Sequence, residues 1–349
     1  MTDEQLWQRL RQAQLVTGEC PETTIEAHPW YLRVLQGLTG WFAAWFLLAS
    51  VFIFFKDVIE YKAITLMLGG FCLLAAYAIY RASQSDFIQQ FALVLSLTGQ
   101  SLAIFAWRDA LKQPEGWWLV CIMAVTLTWL MPSFIHRFLS ASMALFALVM
   151  ACVSWPVIWL MPALVMGLMI VAWLTEARWL IDSERWRPIC YAITLAALQM
   201  HSLTLFNAYQ LHDLLDRHLV ASGSQWIPLN EILIGIFWVM TVGVLLQRYQ
   251  QRLTSPLSIA ALLMSVMIAV MSQQATGLAV AWTLMLLGFA NGHKVLLGLG
   301  VTAFWLYLSR YYYYLPLSLL SKSYLLIALG TCLLAMRYVL KRYGAKLHG

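Results

Sequence analysis

Apolar stretches of membrane-spanning length follow one another along this chain, and no carboxylate falls near the middle of any of them. The hydrocarbon core of a bilayer is about 30 Å thick and takes about 20 apolar residues of helix to cross. No water is available there to satisfy peptide groups, so helices and closed barrels are the structures that span it. The pattern predicts an all-α integral membrane protein, a polytopic helical bundle of about 12 transmembrane helices (10–12). Composition agrees: 62% of residues are hydrophobic and only 11% charged, against roughly 25% charged in a soluble domain.

The spans are expected at 34–55, 63–80, 91–107, 117–131, 138–154, 157–174, 189–209, 232–246, 257–272, 278–290, 295–308 and 324–339. Pro132 should end the fourth. The stretch 138–174 is too long for one crossing, and Ser154-Trp155-Pro156 is its natural turn, because proline disfavours helix at the residue before it. Residues 1–33 are expected to form a cytoplasmic N-terminal amphipathic helix, over 2–14, and an acidic connector. Residues 34–340 form the transmembrane helical domain, and 341–349 a basic cytoplasmic tail. Leu6, Trp7, Leu10 and Ala13 share one arc of the N-terminal helix at 100° per residue. That arc suits either the membrane surface or the protein's own loops. The first apolar run starts near Val34 and follows the acidic residues Asp3, Glu4, Glu19, Glu22 and Glu26, so no cleavable signal peptide is read here.

The net charge of +6 follows the span ends. With twelve spans, 15 Lys and Arg fall on the side of both termini and 7 on the other. Cytoplasmic loops carry the excess of Lys and Arg, so both termini are expected in the cytoplasm and an even span count is favoured. Trp107, Trp117, Trp118, Trp155, Trp179, Trp186, Trp226 and Tyr311 to Tyr314 sit near expected ends, as an interfacial aromatic belt does. Basic residues so placed point to lipid headgroups, not nucleic acid.

Few residues remain to carry chemistry. The seventh span holds the polar set Gln199, His201, Thr194 and Asn207. A midplane histidine can relay protons or bind a ligand; interhelical hydrogen bonding is the plainer alternative. His212, Asp213, Asp216 and His218 have metal-ligand types but lack the HExxH arrangement, which favours a solvated loop. Gly288, Gly292, Gly298 and Gly300 around the tenth and eleventh spans suit close helix packing. Asn291, His293 and Lys294 form the polar turn between those spans. The six cysteines form no CxxC and imply neither disulfide framework nor zinc site. No phosphate-binding, GxSxG or other catalytic motif appears, so no enzyme activity, metal or cofactor is expected.

Pro29-Trp30-Tyr31-Leu32-Arg33, Gly40-Trp41-Phe42-Ala43-Ala44, Leu287-Gly288-Phe289-Ala290, Gly298-Leu299-Gly300, Tyr311 to Tyr314 and Leu319-Leu320-Ser321-Lys322-Ser323 carry a resemblance. Together they resemble a family of bacterial polytopic inner-membrane proteins defined as a domain of unknown function. Members neighbour a second membrane protein named for its GDYXXLXY motif. The resemblance implies a bacterial inner-membrane location and that partner. It implies no activity and no functional residues. The leading expectation is a non-enzymatic protein acting with a membrane partner; a transporter or channel for a small or lipophilic solute is the alternative.

Overall fold

A computed structural model describes residues 60–82, 86–206, 226–250, 254–273 and 277–314, with Arg252 and scattered positions within 7–53 and 320–334. The expected N-terminal helix and connector, the first and twelfth spans, the 212–218 loop and the basic tail lie almost wholly outside the described residues. Within them, every regular element is helical. The α-helices are α1 (Lys62–Ala82), α2 (Asp86–Ala106), α3 (Trp117–Leu130), α4 (Phe134–Ala151), α5 (Met161–Leu174), α6 (Glu176–Trp179), α7 (Ser183–Phe206), α8 (Ile227–Arg248), α9 (Pro256–Ser272), α10 (Leu278–Ala290) and α11 (Lys294–Tyr314). Among the described residues, five helices are long and apolar enough to cross a membrane: Lys62–Ala82, Ile88–Ala106, Phe134–Ala151, Pro156–Leu174 and Pro228–Arg248. Pro114–Leu130, Ser258–Val270 and Leu278–Ala290 are shorter apolar helices.

Several boundaries follow local chemistry. Met131 is extended at ψ 134° ahead of Pro132 and closes α3, as the steric clash with a proline ring demands. The turn at Ser154-Trp155 separates α4 from a 3-10 segment, Pro156–Leu160, that feeds α5. Alone, α5 has 14 residues, about 21 Å of helix. The five-residue 3-10 lead, rising about 2.0 Å per residue, brings the pair to bilayer thickness. Helix α4 starts four residues before the expected 138, because Ser133 takes the extended N-cap conformation and Phe134 can open the helix.

The chain divides into two compact units, residues 1–102 and 103–349. In the first, a Cβ on Gly99 of α2 would lie 2.7 Å from the Gly69 carbonyl oxygen of α1. The two backbones touch there, and only glycine permits it. Small residues of α1 face inward, Gly69, Cys72 and Ala76 being buried, while Met67, Phe71 and Leu74 are exposed. This is the reverse of a soluble helix and what lipid favours: packing needs small residues for close approach, and bulky apolar groups need no shelter.

The second unit repeats the rule. Helix α7 packs against α4 and α5, α8 against α5 and α9, and α10 against α11. Its core joins Ala163, Met166, Met169 and Trp173 of α5 to Ala196 and Ala197 of α7, Ile234 and Trp238 of α8 and Leu284 and Leu287 of α10. Large apolar side chains such as Leu168, Met240, Leu263 and Met267 are exposed.

Backbone groups at helix ends are satisfied from other helices. The first N–H groups and last carbonyls of any helix lack intrahelical partners. At the start of α5 the Ala163 N–H donates to Asn230 Oδ1 of α8 at 3.1 Å. At its end the Ala172 carbonyl accepts from Trp179 Nε1 and the Trp173 carbonyl from Asn291 Nδ2, both at 2.9 Å. The α10–α11 turn closes on itself. Gly292 takes φ +65°, the His293 N–H donates to the Gly288 carbonyl at 2.7 Å and the Gly292 N–H to that of Phe289 at 3.2 Å. These are the two bonds of a Schellman motif.

The four glycines here do different work. A Cβ on Gly288 would lie 2.5 Å from Leu297 N, and one on Gly300 2.7 Å from Met285 N. Those two set the close approach of α10 and α11. Gly292 supplies the left-handed turn, and a Cβ on Gly298 would meet nothing within 4 Å, so Gly298 takes no part in this packing. Replacing Gly288 or Gly300 by alanine should lower stability by about 1–3 kcal/mol, as overpacking does, while Gly298→Ala stays within about 0.5 kcal/mol of wild type. Unfolding midpoints in mixed SDS micelles measure the difference; equal effects at Gly298 and Gly288 would refute this division.

Candidate functional site

Polar side chains of the second unit gather at one end, where α4, α7 and α11 begin and α5, α8 and α10 finish. The cause at α7 is a proline. Pro188 lies inside the helix and has no N–H, so the Glu184 carbonyl loses its usual i+4 donor. Arg137 NH1 of α4 donates to that carbonyl at 3.1 Å. Arg137 is 8% exposed, deep for a guanidinium, and the bond gives its charge a fixed acceptor. One turn on, His136 Nδ1 and Ser140 Oγ lie 3.2 Å apart in the same buried strip of α4.

The centre of this end is Trp173, which is fully buried. Its Nε1 donates to Thr194 Oγ1 of α7 at 2.9 Å, and Thr194 in turn donates to the Cys190 carbonyl at 2.8 Å. Buried indoles usually find such a partner. Around the Trp173 ring stand Tyr191, His293 and Trp179, edge-on, with centroids at 5.4, 5.2 and 6.0 Å. Edge-to-face pairs of this kind contribute about 0.5–1.5 kcal/mol beyond burial. His293 bridges two groups: Nε2 is 3.6 Å from Glu176 Oε1, and Nδ1 is 3.5 Å from the Tyr191 hydroxyl. Carboxylate, imidazole and phenol thus form a loosely spaced line linking α6, the α10–α11 turn and α7. Asn291, on the Trp173 carbonyl, also accepts from Arg248 NH1 at 3.3 Å. Tyr249 donates to the Ala290 carbonyl at 3.2 Å. The arrangement cross-links five chain segments by polar contacts. Its acid–base line runs through contacts of 3.6 and 3.5 Å.

Of the polar residues expected along the seventh span, the three described, Thr194, Gln199 and His201, face different surroundings. Thr194 and His201 are buried, at 0% and 3% exposure. Thr194 serves Trp173, and His201 Nδ1 lies 2.8 Å from the Ala197 carbonyl of its own helix. Gln199 is exposed, so it faces away from both. Asn207 lies outside the described residues. An apolar groove between α5 and α8, about 370 Å³ in volume, is lined by neither Thr194, Gln199 nor His201. Among the described residues no group of three or more His, Cys, Asp or Glu side chains could hold a metal ion.

Residues 29–343 match the family model described as Domain of unknown function (DUF4401). The chain belongs to that family. No curated protein and no solved structure matches it. The DUF4401 match opens at Pro29, the first residue of the Pro29-Trp30-Tyr31-Leu32-Arg33 motif, and takes in every helix described above.

Sequence reasoning on this DUF4401 chain did not find the Trp173, Glu176 and Tyr191 cluster. His293 and Glu176 are 117 residues apart, and no local spacing joins them. One signal was available: Pro188 within an otherwise helical run marks a carbonyl that needs a donor from elsewhere. The Arg137→Met change should cost about 1–3 kcal/mol, the range for a buried acceptor left without its partner. In a Pro188→Ala background, where residue 188 again carries an N–H, it should cost at least about 0.5 kcal/mol less. A double-mutant cycle by SDS unfolding measures this coupling; strict additivity would show that Arg137 does not replace the missing donor.

Proposed function

We propose that this chain is a non-enzymatic, multi-pass protein of a bacterial inner membrane that acts as a helical subunit alongside a second membrane protein. The observation that carries the reading is the surface of α7. Gln199 is exposed about 24 Å along that helix from Ser183, at a depth where an uncovered amide would meet hydrocarbon. Unsatisfied polar groups in lipid cost several kcal/mol, and a polar residue on a partner helix removes that cost. The resemblance to proteins that neighbour a GDYXXLXY-motif membrane protein supports the same reading and names the first partner to test.

The finer topology belongs to this proposal: about twelve spans, with both termini in the cytoplasm. Arg137, Arg178, Arg185, Arg187, Arg248 and Lys294 all belong to the polar end of the second unit, and the positive-inside rule supports a cytoplasmic assignment for it. The alternative reading, a transporter or channel lined by the seventh span, has His201 in its favour. His201 is 3% exposed and held to its own helix, which supports a packing role over a path.

The full chain purified in mild detergent should co-purify with a second multi-pass membrane protein, and Gln199→Leu should reduce its recovery several-fold without lowering the chain's own yield. Recovery of the chain alone in repeated preparations, or solute uptake by proteoliposomes that His201→Ala abolishes, would reject the reading.

A further inference from the structure

An unfilled apolar groove of about 370 Å³ runs between α5 and α8. It is lined by Leu164, Gly167, Val171 and Leu174 of α5 and by Met240 and Val244 of α8, among others. These positions recur every three or four residues, so the groove runs along both helices. Gly167 opens it: a Cβ there would lie 3.1 Å from the Phe237 ring, and any larger side chain would enter the channel. Leu164, Val171, Met240 and Val244 are exposed. From Leu164 to Leu174 the groove is about 15 Å long, half of the roughly 30 Å hydrocarbon core and therefore one leaflet deep.

One end of the groove is charged. Arg248 lies one helical turn beyond Val244 and is exposed. Its NH1 is 3.3 Å from Asn291 Oδ1, and Asn291 is anchored on the carbonyl of Trp173, the neighbour of Leu174. A guanidinium presents five donors in a fixed fork suited to phosphate. Glu176, the carboxylate of this corner, is turned to His293. Apolar length of one leaflet followed by a positioned guanidinium is the chemistry of a phospholipid.

We infer that the groove binds one acyl chain of an anionic phospholipid, with the lipid phosphate held by Arg248. The leaflet rests on the orientation proposed above and would be the cytoplasmic one; the binding itself does not depend on it. Basic residues at that surface attract anionic lipid. The groove then makes the attraction specific to one chain and one place.

The test is native mass spectrometry of the full chain, loaded in detergent with equimolar phosphatidylglycerol and phosphatidylethanolamine. Wild type is expected to retain one phosphatidylglycerol at least five-fold over phosphatidylethanolamine. Arg248→Gln should abolish the preference while lowering the unfolding midpoint only slightly, since its bond to Asn291 is exposed and 3.3 Å long, and Gly167→Leu should remove the retained lipid. Equal retention of the two lipids by wild type, or a preference that survives Arg248→Gln, would overturn the inference. If Gly167→Leu does not fold, Arg248→Gln alone decides. Retention in detergent with the polar end labelled from outside the cell would leave the lipid site standing and remove only the orientation.

Discussion

Peptide groups at helix ends have nowhere to go in hydrocarbon, and the architecture of the larger unit depends on meeting that demand. Helix α5 illustrates it. Its Ala163 N–H is met by Asn230 from α8, its Ala172 carbonyl by Trp179, and its Trp173 carbonyl by Asn291 from the α10–α11 turn. The Glu184 carbonyl, deprived of its donor by Pro188, takes Arg137 from α4. In a soluble protein water could serve each of these groups. Here each of them is met by a protein group instead, so each end cap is also a tertiary contact. The caps lock α4, α5, α7, α8 and α10 together where the hydrophobic effect cannot act between helices.

The second requirement is close approach. Gly99 against Gly69, Gly288 against Leu297 and Gly300 against Met285 bring backbones into contact, and buried alanines fill the remaining seams. Bulky apolar residues then face outward. Dispersion contacts between closely fitted helices supply the attraction. Among the described residues, polar side chains where α4, α7 and α11 begin serve as caps and cross-links.

Much of this was legible along the sequence. The α10 boundaries, the stop at Pro132 and the turn before Pro156 rest on local rules, and local rules suffice there. The family resemblance also rested on short contiguous motifs. What escaped was whatever depends on a distant partner. Gln199 and His201 were grouped by depth, yet two residues apart on a helix is 200° of rotation, and one is exposed while the other is buried. Gly298 belongs to the same glycine pattern as Gly300, but only one of them meets a backbone. The line of Glu176, His293 and Tyr191 joins residues more than a hundred positions apart, which no periodicity reveals.

In the proposed topology these helices cross a bilayer with their capped, basic end in the cytoplasm. Helix α3 separates the 110–116 segment from that end, so single cysteines on a cysteine-free chain report on a crossing directly. With Glu115→Cys and Asp182→Cys expressed in bacterial spheroplasts, a membrane-impermeant maleimide should label position 115 in intact spheroplasts and position 182 only after lysis. The reverse pattern would contradict the orientation. Labelling of both positions from the same side would contradict the crossing itself.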